Sequence, residues 1–139
     1  MLGVGVSLEG GGIARLSDLP KNIRSEVRPA VKGAADLVGD AAAAKAGEWS
    51  TRIPEAISTA ASFAASKPGA TVRVSAAKAP HARAYEGTEG QSSFRHPNWN
   101  NGTWSTQATR PFLFSSAREK RPEAVALMLT ALQAAIHKS

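Results

Sequence analysis

The stretch that decides the fold runs from Pro20 to Ala46 and reads PKNIRSEVRPAVKGAADLVGDAAAAKA. Ile23, Val27, Ala30, Val31, Ala34, Leu37, Val38 and Ala41 recur in it at spacings of three and four. That spacing draws one apolar stripe along a helix over about residues 20–46. Pro20 suits the first helical position, with Asp18 or Leu19 near the cap. Pro29 falls inside the pattern, removes one backbone hydrogen bond, and is expected to kink or split the helix. Arg24, Arg28 and Lys32 follow one another at four-residue spacing as a basic face, with Glu26, Asp36 and Asp40 expected elsewhere on the helix.

Upstream, Leu2, Val4, Val6 and Leu8 alternate with glycine and serine, as one face of an extended strand. Gly10–Gly12 ends that strand. It lacks the lysine and Ser/Thr of a phosphate loop, so it reads as a flexible link. Ile13–Leu19 is a short apolar turn stopped by Pro20.

Downstream, Gly47–Arg52 breaks the helix, and Ile53-Pro54 opens a second helical stretch to about Ser66, with Ile57, Ala60, Ala61 and Ala64 on one side. Lys67-Pro68-Gly69 is a turn, and Ala70–Ala77 a strand with Val72 and Val74 inward and Arg73 outward. Ala79–Gly87 fits either a strand or a single helical turn. Phe94–Pro97 and Trp104–Thr109 flank Asn100-Asn101-Gly102, an asparagine-glycine hairpin signal. A last helix runs from Phe112 or Ser115 to His137, with Ala117, Val125, Met128, Leu129, Leu132, Ala135 and Ile136 as its stripe; Pro122 marks where its regular part begins.

The 139 residues make one domain, 1–139. Its apolar fraction of 42% is rich in alanine, which buries little area, so burial is expected to be completed against copies of the same chain. The absence of cysteine excludes disulfides, thiolate nucleophiles and cysteine-based zinc sites. The N-terminus has neither the basic region nor the apolar run of a signal peptide, and no apolar run is long enough for a transmembrane helix. The net charge of +6 is uneven: residues 1–50 balance, 51–110 carry +4 and 111–139 carry +2. Such a bias suits an acidic protein surface or a phosphate backbone.

Catalytic chemistry finds little footing. His81, His96 and His137 lie far apart with no acid at ligand spacing, so no metal site is expected. Ser92, Ser93, His96 and Glu89 share a loop, but sequence neighbours there do not converge as a nucleophile triad. No cofactor is expected, and the chain reads as a non-enzyme. The contact candidates are instead Phe94, Arg95, Trp99 and Trp104 in the polar aromatic segment, with Arg110 and Phe112 at its junction to the last helix. Phe112 and Phe114 are also able to wedge beneath that helix.

Taken in order, Arg52–Ile57, the Val72–Val74 strand, Ala79–Glu86, Phe94–Pro97 through Trp104, and Arg110–Leu113 before a terminal helix resemble the tail-component family of long-tailed phages; the Phe94–Pro97, tryptophan and Arg110–Phe112 elements look like those of members from actinobacterial phages. Many relatives carry a proline-valine-x-threonine-glycine segment where this chain has Trp49–Pro54, and an aromatic after Ala-Pro where it has His81. The resemblance covers nearly the whole chain. It implies an α+β fold, with a long N-terminal and a C-terminal helix packed on a small antiparallel sheet and an aromatic-bearing hairpin. It implies a virion protein of the head-to-tail junction, a neck or tail-completion protein assembled in the host cytoplasm. Its expected partners are itself, as a closed ring (a hexamer), and neighbouring connector and tail-tube proteins, with DNA in the lumen as a non-specific contact. Two rivals are a tail terminator capping the tube, and a small basic nucleic-acid-binding protein using Arg24, Arg28, Lys32, Arg73 and Arg83 on phosphates with tryptophans for stacking.

Overall fold

A computed structural model describes residues 19–63, 69–88, 91–98 and 101–138, and the backbone of 4–8. The Gly10–Gly12 link, most of the turn expected over 13–19, Lys67-Pro68, Glu89, Trp99 and Asn100 lie outside the described residues.

The chain is α+β. In order it forms β1 (Val4–Leu8), α1 (Lys21–Gly47), α2 (Arg52–Ala56), β2 (Ile57–Ser62), β3 (Gly69–Val74), α3 (Ala82–Glu86), β4 (Ser93–Asn98), β5 (Thr103–Ala108) and α4 (Leu113–Lys138). β3 is the centre of an antiparallel sheet of order β1-β3-β2, and β4 and β5 form a separate antiparallel hairpin.

Helix α1 follows its apolar stripe. Val27, Val31, Ala34, Ala35, Val38, Ala42 and Ala46 are buried, and they meet α4 on one side and β2 and β3 on the other. On the sheet, Ala70, Val72 and Val74 are buried, while Arg73 points to solvent as expected. Small side chains on α1 let helix and sheet come close. A Cβ built on Gly39 would lie 2.7 Å from Thr59 Cγ2.

Several expectations are corrected. Pro20 sits one place before α1, with an extended ψ of 149°, and its carbonyl accepts from Arg24 N–H at 2.9 Å. The helix is not split at Pro29. That residue lies on the exposed side, where water is able to satisfy the Ser25 carbonyl it leaves unbonded. Asp36 is not remote from the basic face: its carboxylate lies 2.6 Å from Lys32 Nζ, one turn away.

The second helical stretch ends at Ala56, and residues 57–62 are a strand. Ile57, Thr59 and Ala61 are half-buried on the helix side, while Ser58 and Ala60 are exposed, a period of two. β-branched Ile57 and Thr59 fit that pleat, and Ala60 and Ala61 are small enough for either periodicity. Helix α2 is one short turn begun by Ser50, whose hydroxyl accepts from Ile53 N–H at 3.2 Å. The open choice over 79–87 resolves as a helical turn, α3.

Helix α4 begins at Leu113, well before Pro122, which lies exposed inside it. Its buried stripe is Leu113, Ser116, Ala117, Ala124, Met128, Leu132 and Ala135. Val125 and Leu129 sit at the margin, and Ile136 is exposed.

Candidate functional site

The hairpin is built from its turn outward. Asn98 pairs with Thr103, so residues 99–102 form the connection, longer than a two-residue asparagine-glycine turn. Gly102 takes φ +69°, the left-handed region that glycine enters without strain. Asn101 Oδ1 accepts from the Thr103 backbone N–H at 3.1 Å and its hydroxyl at 2.6 Å. Asn98 Nδ2 donates across the strands to Thr103 and Ser105. These side-chain hydrogen bonds link Asn98, Asn101, Thr103 and Ser105, the described residues beside the turn.

Strand register then sorts the side chains onto two faces. Phe94, His96 and Asn98 lie opposite Gln107, Ser105 and Thr103 on the inner face, where every residue except Thr103 is half-buried. Arg95 and Pro97 lie opposite Thr106 and Trp104 on the outer face, with Pro97 directly across from Trp104. Trp104 is 60% exposed, and the exposed Arg95 guanidinium sits 5.5 Å from the centroid of its ring. A cation beside an indole plane is favourable even in water. It presents a preformed surface combining aromatic area with positive charge.

The base of the hairpin is fastened by an aromatic row. Phe94 meets Tyr85 at 5.2 Å, Tyr85 meets Trp49 at 4.6 Å, and Trp49 meets Phe112 at 6.2 Å between ring centroids. His81 lies edge-on to Tyr85 and His96 lies beside Phe94. Arg110 covers Trp49 at 5.6 Å, and its backbone N–H donates to the Tyr85 carbonyl at 2.7 Å. Thr109 N–H donates to the Ser92 carbonyl at 3.0 Å and closes the ribbon.

The contact candidates therefore divide. Arg95 and Trp104 come together on the outer face. Phe94 and Arg110 serve the anchoring row. Phe112 is fully buried, so the core holds its ring away from any partner in this conformation. Phe114, two residues on, is 45% exposed instead.

The basic face of α1 is also divided. Lys32 is spent on Asp36 and on the Thr59 hydroxyl, 2.7 Å away. Hydrogen bonds from Lys32 and then Thr59 hold the Asp36 carboxyl below its ordinary range. Arg28 lies 4.7 Å over the ring of Phe63. At the other flank of α1, Lys45 donates to Glu119 at 2.8 Å and lowers that carboxyl's affinity for a proton.

One residue central to this region escapes sequence reasoning. Glu86 is buried, and its carboxylate accepts from the backbone N–H groups of Phe112, Leu113 and Phe114 at 2.9, 2.8 and 2.9 Å. Those are orphan donors at the start of α4, and the helix dipole favours a negative charge there. The only sequence signal is an acid just before Gly87. Its partners lie far downstream, beyond any local capping pattern. Glu86 thus locks the hairpin's two flanks together, since α3 precedes the hairpin and α4 follows it.

Among the described residues, no three His, Asp or Glu gather as a metal cage, and no helix is long and apolar enough to cross a membrane. No family model, curated protein or solved structure matches the chain.

Proposed function

We propose that this chain is a non-enzymatic structural protein of a tailed-phage virion, a neck or tail-completion protein. In this reading identical subunits close into a ring at the head-tail junction, and the ring joins the connector to the tail tube. The order of motifs from Arg52 to Leu113 motivates the family. The observation that carries the mechanism is the exposed Arg95–Trp104 face on a hairpin fastened at its base. Tryptophan and arginine are the side chains that most often anchor protein interfaces. A fixed ribbon presents them with little ordering entropy left to lose on docking.

Each subunit contact in such a ring is heterologous, one surface of a copy meeting a different surface of the next, with a rotation that closes. A tail terminator would use the same parts at the end of the tube. The nucleic-acid reading is weaker, because Lys32, in the middle of the basic face of α1, is already neutralised by Asp36.

The test is electron microscopy of the purified protein together with mass spectrometry of purified phage particles. The expected result is a ring, and the chain in particles at the copy number of one ring. A chain that stays monomeric with its connector and tube proteins, and is missing from particles, would overturn the proposal.

A further inference from the structure

We propose that the outer edge of β2 receives an extended acidic segment of a neighbouring protein, which joins the sheet as a fourth strand and sets a carboxylate against Arg28. This interface is separate from the hairpin and stands without the virion reading.

Among the described residues, the edge is open in backbone terms. Ser75 N–H donates to the Ala56 carbonyl at 2.9 Å, and these two residues continue the β2–β3 register by one pair. Opposite residues that share such a bond alternate with ones that do not. Ser58 and Ala60 therefore turn their backbones toward β3, while Ile57, Thr59 and Ala61 turn theirs outward. The Ile57 N–H is used by the Pro54 carbonyl. The N–H groups of Thr59 and Ala61 and the carbonyls of all three remain, with no backbone partner among the described residues. Natural sheets usually protect such an edge with charge, proline or a bulge. The β2 sequence, ISTAAS, has no charge and no proline, and its six register pairs run without a bulge.

The charge beside that edge selects the partner. One flank of α1 meets α4, through Lys45 and Glu119. Its opposite flank overhangs β2. There Lys32 and Asp36 compensate each other at the level of Thr59. Farther along, at Phe63, Arg28 is exposed and pairs with no carboxylate among the described residues. Arg24, one turn away, has a buried Nε without a hydrogen-bond partner among the described residues. An added strand with an acidic side chain level with Ala61 or Phe63, on the helix side, would form a charge-assisted pair there. Its other face would cross Ser58, Ala60 and Ser62, all small, the first two exposed and the last half-buried. A nucleic acid fits less well, because its phosphates supply acceptors and the outward carbonyls need donors.

Fluorescence anisotropy with the full chain tests this, using a labelled short peptide in which glutamate alternates with threonine. The peptide is expected to bind. Its lysine-for-glutamate counterpart, and a version N-methylated at alternate amides, are expected not to. Arg28→Glu should weaken binding by about tenfold or more. Ala61→Pro should weaken it similarly, since an edge strand tolerates proline where the N–H faces outward. Trp104→Ala should bind undiminished, which keeps this result apart from the hairpin's role. No binding by the parent peptide would overturn the proposal. So would equal binding by the methylated peptide or by single-stranded DNA, since charge alone would then suffice. Self-association of the chain that Ala61→Pro abolishes would also overturn it, by making a second copy the occupant.

Discussion

The carboxylate of Glu86 lies 2.8 Å from the amide nitrogen of Leu113, inside the protein, and also receives the amides on either side of it. One acid thus closes the start of α4 and fixes the crossing from α3, past the hairpin, to the last helix. Glu86→Ala would leave buried N–H groups unsatisfied and is expected to cost about 3 kcal/mol or more. Glu86→Gln keeps an acceptor but loses the charge at the helix terminus, and should cost less. Denaturant unfolding checks both, read as a lower midpoint at unchanged slope.

The two glycines inside α1 should respond oppositely to alanine. Nothing lies within 4 Å of a Cβ placed at Gly33, so Gly33→Ala should stabilise by about 0.5–1 kcal/mol through helix propensity. At Gly39 the same atom meets Thr59 Cγ2 at 2.7 Å, and Thr59 is pinned by Lys32 and Asp36. Gly39→Ala should therefore destabilise, by about 1–3 kcal/mol. A thermal melt in which both variants move the same way would contradict this close helix-to-sheet approach.

Trp104 and Phe112 should separate assembly from folding. Trp104→Ala removes exposed area and is expected to change stability by no more than about 0.5 kcal/mol while blocking docking. Phe112→Ala empties the core beneath Trp49 and should cost about 3–5 kcal/mol. Circular dichroism melts set beside an assembly assay would distinguish them. A Trp104→Ala variant that assembles normally would remove the hairpin face from the mechanism.

Asp36 should contribute a small, acid-sensitive increment of stability. Hydrogen bonds from Lys32 and Thr59 place its carboxyl below the ordinary range in the folded chain. A group lowered on folding stabilises above its unfolded pKa and loses that contribution as pH falls through its folded value. The loss is therefore expected below about pH 4. Its side chain is 46% exposed, so solvent limits the effect to about 0.5 kcal/mol or less. Comparing Asp36→Asn with the parent across pH 2–7 should show their stabilities converging at the acid end.

Periodicity was enough for the parts whose burial is local. The stripe of α1, the inward Val72 and Val74, the paired strands around Gly102 and most of α4 were legible, because each is a repeat along one element. Tertiary structure alone decided the rest. Residues 57–62 carry too many small side chains for periodicity to choose, and pairing with β3 makes them a strand. Helix α4 starts at Leu113 because Glu86, far back in the chain, satisfies its first amides. Phe112 belongs to the core and Phe114, two residues on in the same apolar run, is exposed, because only packing distinguishes the side of an element that faces Trp49 from the side that faces water. Local sequence encodes which side chains share a face; what covers that face depends on contacts between residues distant in the chain.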